Sequence, residues 1–256
     1  MSSWNRRSNS SETSTLRPFR ALWFVTLLVG LAAIGAAGWG ATRTPLFEMR
    51  ALHVTGNRHL TDAEVARLTG LSRSTNVLWL RGSTIAHRIE RDPWIFRARV
   101  TRSLPGTVTV SIQERRPVAI IESGRSLLLV SGDGVVLGQA PASARLPVIH
   151  APGAPLAVGA RLSAVPAELV VARSLPLAVR GRVQRITTLN HGALTLLLRS
   201  GVRVLYGDVS EAGSKGRALA SLLSWAKREG IRADRIDLRA PSAPALIPVE
   251  AVVPAS

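Results

Sequence analysis

The chain contains no cysteine, which removes a disulfide framework, a thiolate metal site and a cysteine nucleophile together. The redox compartment is left open, and any stability outside the cytoplasm has to come from packing. Lysine is nearly absent as well: of 33 basic residues only Lys215 and Lys227 are lysine. Against 16 acidic residues this gives a net charge of +17, but the charge is spread along the chain and no segment is a basic tail. Aromatic residues make up 4%. Basic clusters with interleaved aromatics are missing, so nucleic acid is not expected as a partner. The excess of arginine, with abundant Ala, Gly and Pro, is as well explained by a GC-rich genome as by a partner, and attraction to an anionic membrane or wall polymer stays open.

Catalytic and metal-binding patterns are scarce too. The five histidines, His53, His59, His87, His150 and His191, are scattered over expected strands, a helix and turns, and no His-Glu-x-x-His spacing occurs. Ser224 and Lys227 have Ser-x-x-Lys spacing, but the Ser-Asp-Asn and Lys-Thr-Gly elements that accompany it in penicillin-recognising enzymes are absent. On a helix these two are surface neighbours. Gly207, Gly213 and Gly216 do not make a phosphate loop, because Lys215 lacks the glycine that must precede it. Asp133, between Gly132 and Gly134, reads as a turn residue. We therefore expect no catalytic residue, no cofactor, no metal and no small-molecule substrate.

What the chain does have is 46% apolar residues over 256 positions, enough for cores of ordinary size. It also has one long apolar run. From Ala21 to Thr42 no residue is charged, and Arg20 and Arg43 bracket the stretch. A helix of that length spans about 33 Å, matching a hydrocarbon core of about 30 Å. Trp23 and Trp39 sit near its ends, at headgroup level, and Arg6, Arg7, Arg17 and Arg20 precede it against Arg43 and Arg50 after it, which predicts a cytoplasmic N-terminus. Ala36, Ala37 and Gly38 offer small residues for cleavage, but a signal-peptide core runs only about 7 to 15 residues, so an anchor is the better reading. Gly30, Gly35, Gly38 and Gly40 leave room for another helix to approach. Residues 1–20, rich in Ser, Asn, Thr and Arg, hold almost nothing to bury and are expected to be disordered.

Residues 46–114 read as a small mixed domain. Leu52 and Val54 alternate in a strand that ends at Gly56-Asn57. Thr61 and Glu64 form a capping box before a short helix that Gly70 stops. A second helix from Ser83 or Thr84 turns Ile85, Ala86 and Ile89 inward and ends before Pro93. Ala98 and Val100 then alternate with Arg97, Arg99 and Thr101, and after Leu104-Pro105-Gly106 so do Val108, Val110 and Ile112 with Thr107, Thr109 and Ser111. The order β-α-α-β-β predicts a three-stranded sheet with both helices on one face.

These residues carry a resemblance. Val54, Gly56-Asn57, Asn76 with Leu78, Pro93-Trp94, Ala98, Val100, Arg102, Leu104-Pro105, Val108, Val110, Glu114-Arg115 and Pro117 with Ala119, in this order after one membrane helix, resemble the POTRA domain of the bacterial cell-division family FtsQ, called DivIB in Gram-positive species. The likeness runs from about residue 20 to 248. Leu127 to Val130 and Val135 to Leu137 flank an Asp-Gly hairpin turn, and Leu146-Pro147 follows. Ala164 to Leu175 can form a helix entered through Pro166. Leu194, Leu196 and Leu198 make a hairpin with Val202 and Val204 through Ser200-Gly201, where the family has Asp-Gly. A helix from about Ser214 to Glu229 carries Leu219, Leu222, Leu223 and Ala226 inward and stops at Gly230, with Lys215 where the family commonly has lysine. Arg235 to Arg239 resembles the family's last main strand. Pro241, Pro244, Pro248 and Pro254 then interrupt regular structure. The family often has aromatics after that arginine; this chain has Ala240 and no aromatic beyond Trp225.

The expected architecture is α+β: a disordered tail (1–20), a transmembrane helix (21–42), a POTRA domain (46–114), a C-terminal β-rich domain with flanking helices (115–240) and a Pro-rich flexible tail (241–256). The resemblance implies a non-enzymatic divisome scaffold, single-pass in the bacterial plasma membrane at the septum, with extracytoplasmic domains that bind FtsB/DivIC-like and FtsL-like division proteins. A late strand followed by prolines is expected at a sheet edge, able to accept a strand from another chain. By the resemblance that edge is the partner's site, and it falls here on Arg235, Ile236, Leu238 and Arg239, with proline at Leu238 as a test if its N–H faces outward. Arg97, Arg99 and Arg102 form a second candidate surface on the POTRA strand. The rival readings are a POTRA-bearing transport or secretion component, which would feed a membrane β-barrel, and an anchored wall-modifying enzyme, which would need a convergent acid-base or nucleophile cluster.

Overall fold

The computed structural model describes residues 18–150, 155–189 and 192–249. Most of the N-terminal tail, His191 and the last residues of the Pro-rich tail lie outside them. Helix α1 spans Pro18–Ala41, with proline in its first turn, where a missing N–H costs nothing. Its stretch Trp23–Ala41 is long and apolar enough to cross a membrane, and none of it is buried by the rest of the chain.

The chain forms two compact units, one drawing on Met1–His53, Leu71–Arg81 and Thr101–Thr109, the other on Val54–Gly70, Gly82–Val100 and Val110–Ser256. After α1 come β1 (Ala51–Thr55), α2 (Asp62–Thr69), α3 (Gly82–Ile89), β2 (Ile95–Ser103) and β3 (Thr107–Glu114), and the strands form a sheet in the order β1-β3-β2. The expected capping box closes α2: Thr61 Oγ1 accepts from the Glu64 N–H and the Glu64 carboxylate from the Thr61 N–H, while Gly70 ends the helix at φ +62°. Gly56, at φ +87°, ends β1 so close to the Ile112 carbonyl that a Cβ there would meet its oxygen. Val65, Ile85, Ala86 and Ile89 from the helices and Ala98, Val108, Val110 and Ile112 from the strands are buried, as the alternation predicts.

The remaining strands are β4 (Pro117–Ser123), β5 (Ser126–Ser131), β6 (Val136–Gln139), β7 (Val148–His150), β8 (Val183–Thr188), β9 (Leu194–Leu198), β10 (Arg203–Gly207), β11 (Ala233–Asp237) and β12 (Ala245–Pro248). They build one nine-stranded sheet in the order β12-β11-β10-β9-β8-β7-β4-β5-β6. Hairpins give its antiparallel pairs. Its three parallel pairs need crossovers, supplied by the β5-β6 hairpin between β4 and β7, by α4 (Ala167–Ser174) and α5 (Leu177–Arg180) between β7 and β8 and by α6 (Ala212–Arg228) between β10 and β11. Leu169, Val171, Ala172 and Leu219 from these helices join Ile121, Ile149, Ile186, Leu196, Val204 and Ile236 in the main core. On the other face Ile120, Leu129, Val135 and Leu137 form a smaller cluster with Trp94 packed against it. Residues 118–121 are therefore buried without a break, as expected of a strand covered on both faces.

Pro166 precedes α4 as its cap instead of entering it, and α6 starts two residues earlier than its apolar spacing suggests, behind Glu211 at φ 51°. The larger departure is β12. Pro244 and Pro248 do not abolish regular structure between them; they bound a four-residue strand on β11, and an edge strand tolerates a proline whose nitrogen points away from its neighbour.

Candidate partner-binding surfaces

The C-terminal strands place the first candidate site differently from the sequence reading. β11 is not an edge: it pairs in parallel with β10 on one side and antiparallel with β12 on the other. Ile236 and Leu238 are fully buried members of the main core, and the Leu238 N–H donates to the Leu205 carbonyl at 2.8 Å. A partner strand can reach neither side chain, and a proline at Leu238 would break an internal bond. Arg235 is half-buried. Arg239 is exposed, but its guanidinium is folded back on Asp237, with Nη2 to Oδ2 at 2.6 Å and Nε to both carboxylate oxygens. Those bonds, with the Arg239 charge, hold the Asp237 carboxyl below the ordinary carboxylate range and raise the Arg239 guanidinium. The prolines signal the end of the sheet, but the four-residue strand that follows Pro244 and ends on Pro248 is too short to show a period.

Among the described residues, the edge at this end of the sheet is β12. Beyond it the Val249 N–H donates inward to the Arg232 carbonyl at 2.9 Å. Backbone direction alternates along an antiparallel strand, so Ile247 and Ala245 also face β11, and Leu246 and Pro248 face away. Pro248 has no N–H, which leaves Leu246 as the outward donor on this edge. The Leu246 side chain packs on the main core, while Ile247 and Val249 are about half exposed.

The loop beneath β10 is held by a group that the spacing of apolar residues does not reveal. Lys215 on α6 is 1% exposed. Its Nζ donates to the Asp208 carbonyl at 3.1 Å and carboxylate at 2.9 Å and lies over the Tyr206 ring, 5.3 Å from the centroid. Hydrogen bonds from Ser210 and Lys215 lower the Asp208 carboxyl to about 2. Burial raises the Tyr206 hydroxyl, which donates to the Ala212 carbonyl at 2.8 Å. The signals available in the sequence were its rarity, as one of two lysines in a chain that otherwise uses arginine, and its place where the resembled family commonly has lysine.

The second candidate surface divides. Arg97 and Arg99 are exposed on β2, an edge of its sheet. Arg102 has the strand parity of Ala98 and Val100, not of Arg97 and Arg99, and its Nη1 donates to the carbonyls of Val77, Leu78 and Leu80. It therefore holds a local turn, and the three arginines do not form one face.

A third arrangement joins β3 to the hairpin β5-β6. Arg115, 11% exposed, donates from Nη1 to the Pro93 carbonyl at 3.0 Å and the Ile95 carbonyl at 2.6 Å, and from Nε to Asp133 at 3.0 Å. Burial alone would raise the Asp133 carboxyl, but hydrogen bonds from Ser131 and Arg115 and the Arg115 charge outweigh it and leave the group lowered. Glu114 follows the same pattern. Burial raises it, and the N–H groups of Leu60, Arg58 and His59 outweigh that and lower it. His59 stacks on Trp94 at 3.5 Å. These groups line an open cleft of about 890 Å³, in which the carboxylates are already spent on backbone and arginine donors. Among the described residues His53, His59, His87 and His150 are all exposed, Ser224 and Lys227 are exposed on α6, and no three His, Asp or Glu side chains gather closely enough to hold a metal.

Residues 47–115 match the family model for the FtsQ-type POTRA domain, and residues 119–239 match that for the FtsQ/DivIB C-terminal domain. The chain is 30% identical over 225 residues to the cell division protein FtsQ of Mycobacterium leprae, covering 85% of this chain and 64% of that one. It is 29% identical over 217 residues to that of Mycolicibacterium smegmatis, covering 85% and 63%. The chain thus spans somewhat under two thirds of the length of these relatives. The major extracytoplasmic domain of the trans isomer of DivIB from Geobacillus stearothermophilus superposes at a TM-score of 0.33 and 16% identity over 45% of this chain and 97% of that one, a slight likeness that adds no detail. With both family models matched in sequence on an α+β chain that carries one apolar N-terminal helix, this chain belongs to the FtsQ/DivIB family of cell-division proteins.

Proposed function

We propose that the chain is a non-enzymatic scaffold of the divisome, held by α1 as a single pass with its N-terminus in the cytoplasm, and presenting a POTRA module (46–114) and a β module (115–240) outside the plasma membrane at the septum. Its partners in this reading are FtsB/DivIC-like and FtsL-like division proteins. Family membership supports the setting, and the open β12 edge is the observation that carries the mode of action: an extended segment of a partner adds to Ala245–Pro248 by backbone hydrogen bonds, with the exposed Ile247 and Val249 beside it. The Arg235 to Arg239 strand then acts one step back, as the platform that positions β12. Several weak contacts on one anchored chain raise the effective concentration of each partner for the others, and no bond is made or broken.

The test is capture of the host's FtsB-like protein by the full-length chain in detergent, comparing Leu246→Ala with Leu246→Pro. Both lose the same packing on the core, but only proline removes the outward N–H. Capture should survive alanine and be lost with proline. Equal capture by the two would reject strand addition at β12.

A further inference from the structure

The first compact unit brings three segments together where α1 ends. The Thr42 carbonyl, one residue past the end of α1, accepts from Asn76 Nδ2 at 2.6 Å. The Asn76 side chain also accepts the Leu78 N–H and so starts a 3-10 turn, Val77–Trp79. The Met49 N–H donates to Thr75 at 3.0 Å, and the Arg50 N–H to Gly106 at 2.8 Å. Arg102 closes the set by binding the carbonyls of Val77, Leu78 and Leu80. The strands β1 and β3 begin here and β2 ends here, so these loops form the end of the sheet next to α1.

Its outer surface is unusual for a loop cluster. Val77 is fully buried and anchors the turn, yet Trp79 is 60% exposed, with Leu46 at 53% and Leu104 at 55%. A 3-10 turn rises about 2 Å per residue, so Trp79 stands only about 6 Å beyond the asparagine that grips α1. Exposed around these apolar groups are Arg43, Arg50, Arg73, Arg81 and Arg102, against Glu48 as the one acidic residue of residues 42–53, 71–81 and 101–109. The Arg43 guanidinium lies 3.9 Å over the ring of Trp39 and marks headgroup level at the end of the span.

We propose that this end of the unit docks on the bilayer itself, with Trp79, Leu46 and Leu104 inserted at the interface and the arginines on the headgroups of anionic lipid. Continuity with α1 and charge complementarity both select the membrane as the occupant. The docking fixes how the POTRA sheet leaves the bilayer, and it rests on the reading of α1 as a membrane span.

The lack of cysteine makes the test direct, because any cysteine introduced is unique. Full-length chains carrying Leu104→Cys, Ser200→Cys or Ala33→Cys, spin-labelled and reconstituted into phosphatidylglycerol/phosphatidylcholine vesicles, are compared for collision with oxygen and with a water-soluble nickel chelate. Leu104 should lose nickel accessibility, Ser200 on the β9-β10 turn should keep it, and Ala33 should report full immersion. Arg73→Gln or Arg81→Gln should each lower the docked-to-free ratio roughly fivefold. A Leu104 label as open to nickel as that at Ser200, with Ala33 immersed, overturns the docking and leaves the anchor standing. A nickel-accessible Ala33 overturns the anchor itself. Equal protection of Leu104 in pure phosphatidylcholine overturns the assignment to anionic lipid.

Discussion

Lys215 shows how much one side chain fixes in this chain. A buried ammonium is tolerated only with partners, and it has the Asp208 carbonyl, the Asp208 carboxylate and the Tyr206 ring. Asp208→Asn should therefore lower the thermal midpoint more than the double variant Asp208→Asn/Lys215→Met, which removes the stranded charge as well; calorimetry ranks the two. The Asp208 carboxyl is lowered from 3.8 to about 2, so its contribution to stability is complete above the ordinary value and is lost as pH falls through the lower one. Asp133 and Glu114 are lowered too and add loss in the same direction on acidification. Arg115 is the second such residue. Arg115→Ala gives up charge-assisted bonds to Pro93, Ile95 and Asp133 and should cost about 3 kcal/mol in urea unfolding, with Arg115→Lys recovering only part, since a point charge cannot fork across three acceptors. Glu114-Arg115 was visible in the sequence as part of a motif. What it holds was not, because its acceptors, two backbone carbonyls and the Asp133 carboxylate, are about twenty positions away.

Elements were legible wherever a local rule decides them. The capping box of α2, the turn at Gly56 and the alternation of β3 follow from neighbouring residues, and the structure keeps each of them. Gly56→Ala is the sharpest check. At φ +87° with the Ile112 carbonyl in the way, a Cβ meets both backbone strain and a clash, and the change should cost about 2 to 3 kcal/mol by thermal unfolding. A cost near zero would mean that β1 ends elsewhere. Strand order was not legible in the same way. Nothing local says that the four residues Ala245–Pro248 fold back to pair with β11, so the edge was placed one strand too early. Arg102 is a different case: its period-two parity with Ala98 and Val100 already separates it from Arg97 and Arg99, and only its acceptors on residues 77–80, more than twenty positions away, were out of local reach.

At the scale of the whole molecule, an apolar helix, a three-stranded and a nine-stranded sheet share one chain, and the family models reach from β1 to β11, with β12 beyond the matched residues. In the proposed scaffold the helix limits diffusion to the membrane, and the sheets supply surfaces whose individual affinities can be weak. The central claim is that division depends on the backbone edge of β12. The most direct measurement is rescue of cells depleted of this protein by full-length Leu246→Ala or Leu246→Pro at matched abundance, scored by cell length. The account predicts normal septa with alanine and filaments with proline. Normal septa with both would contradict it.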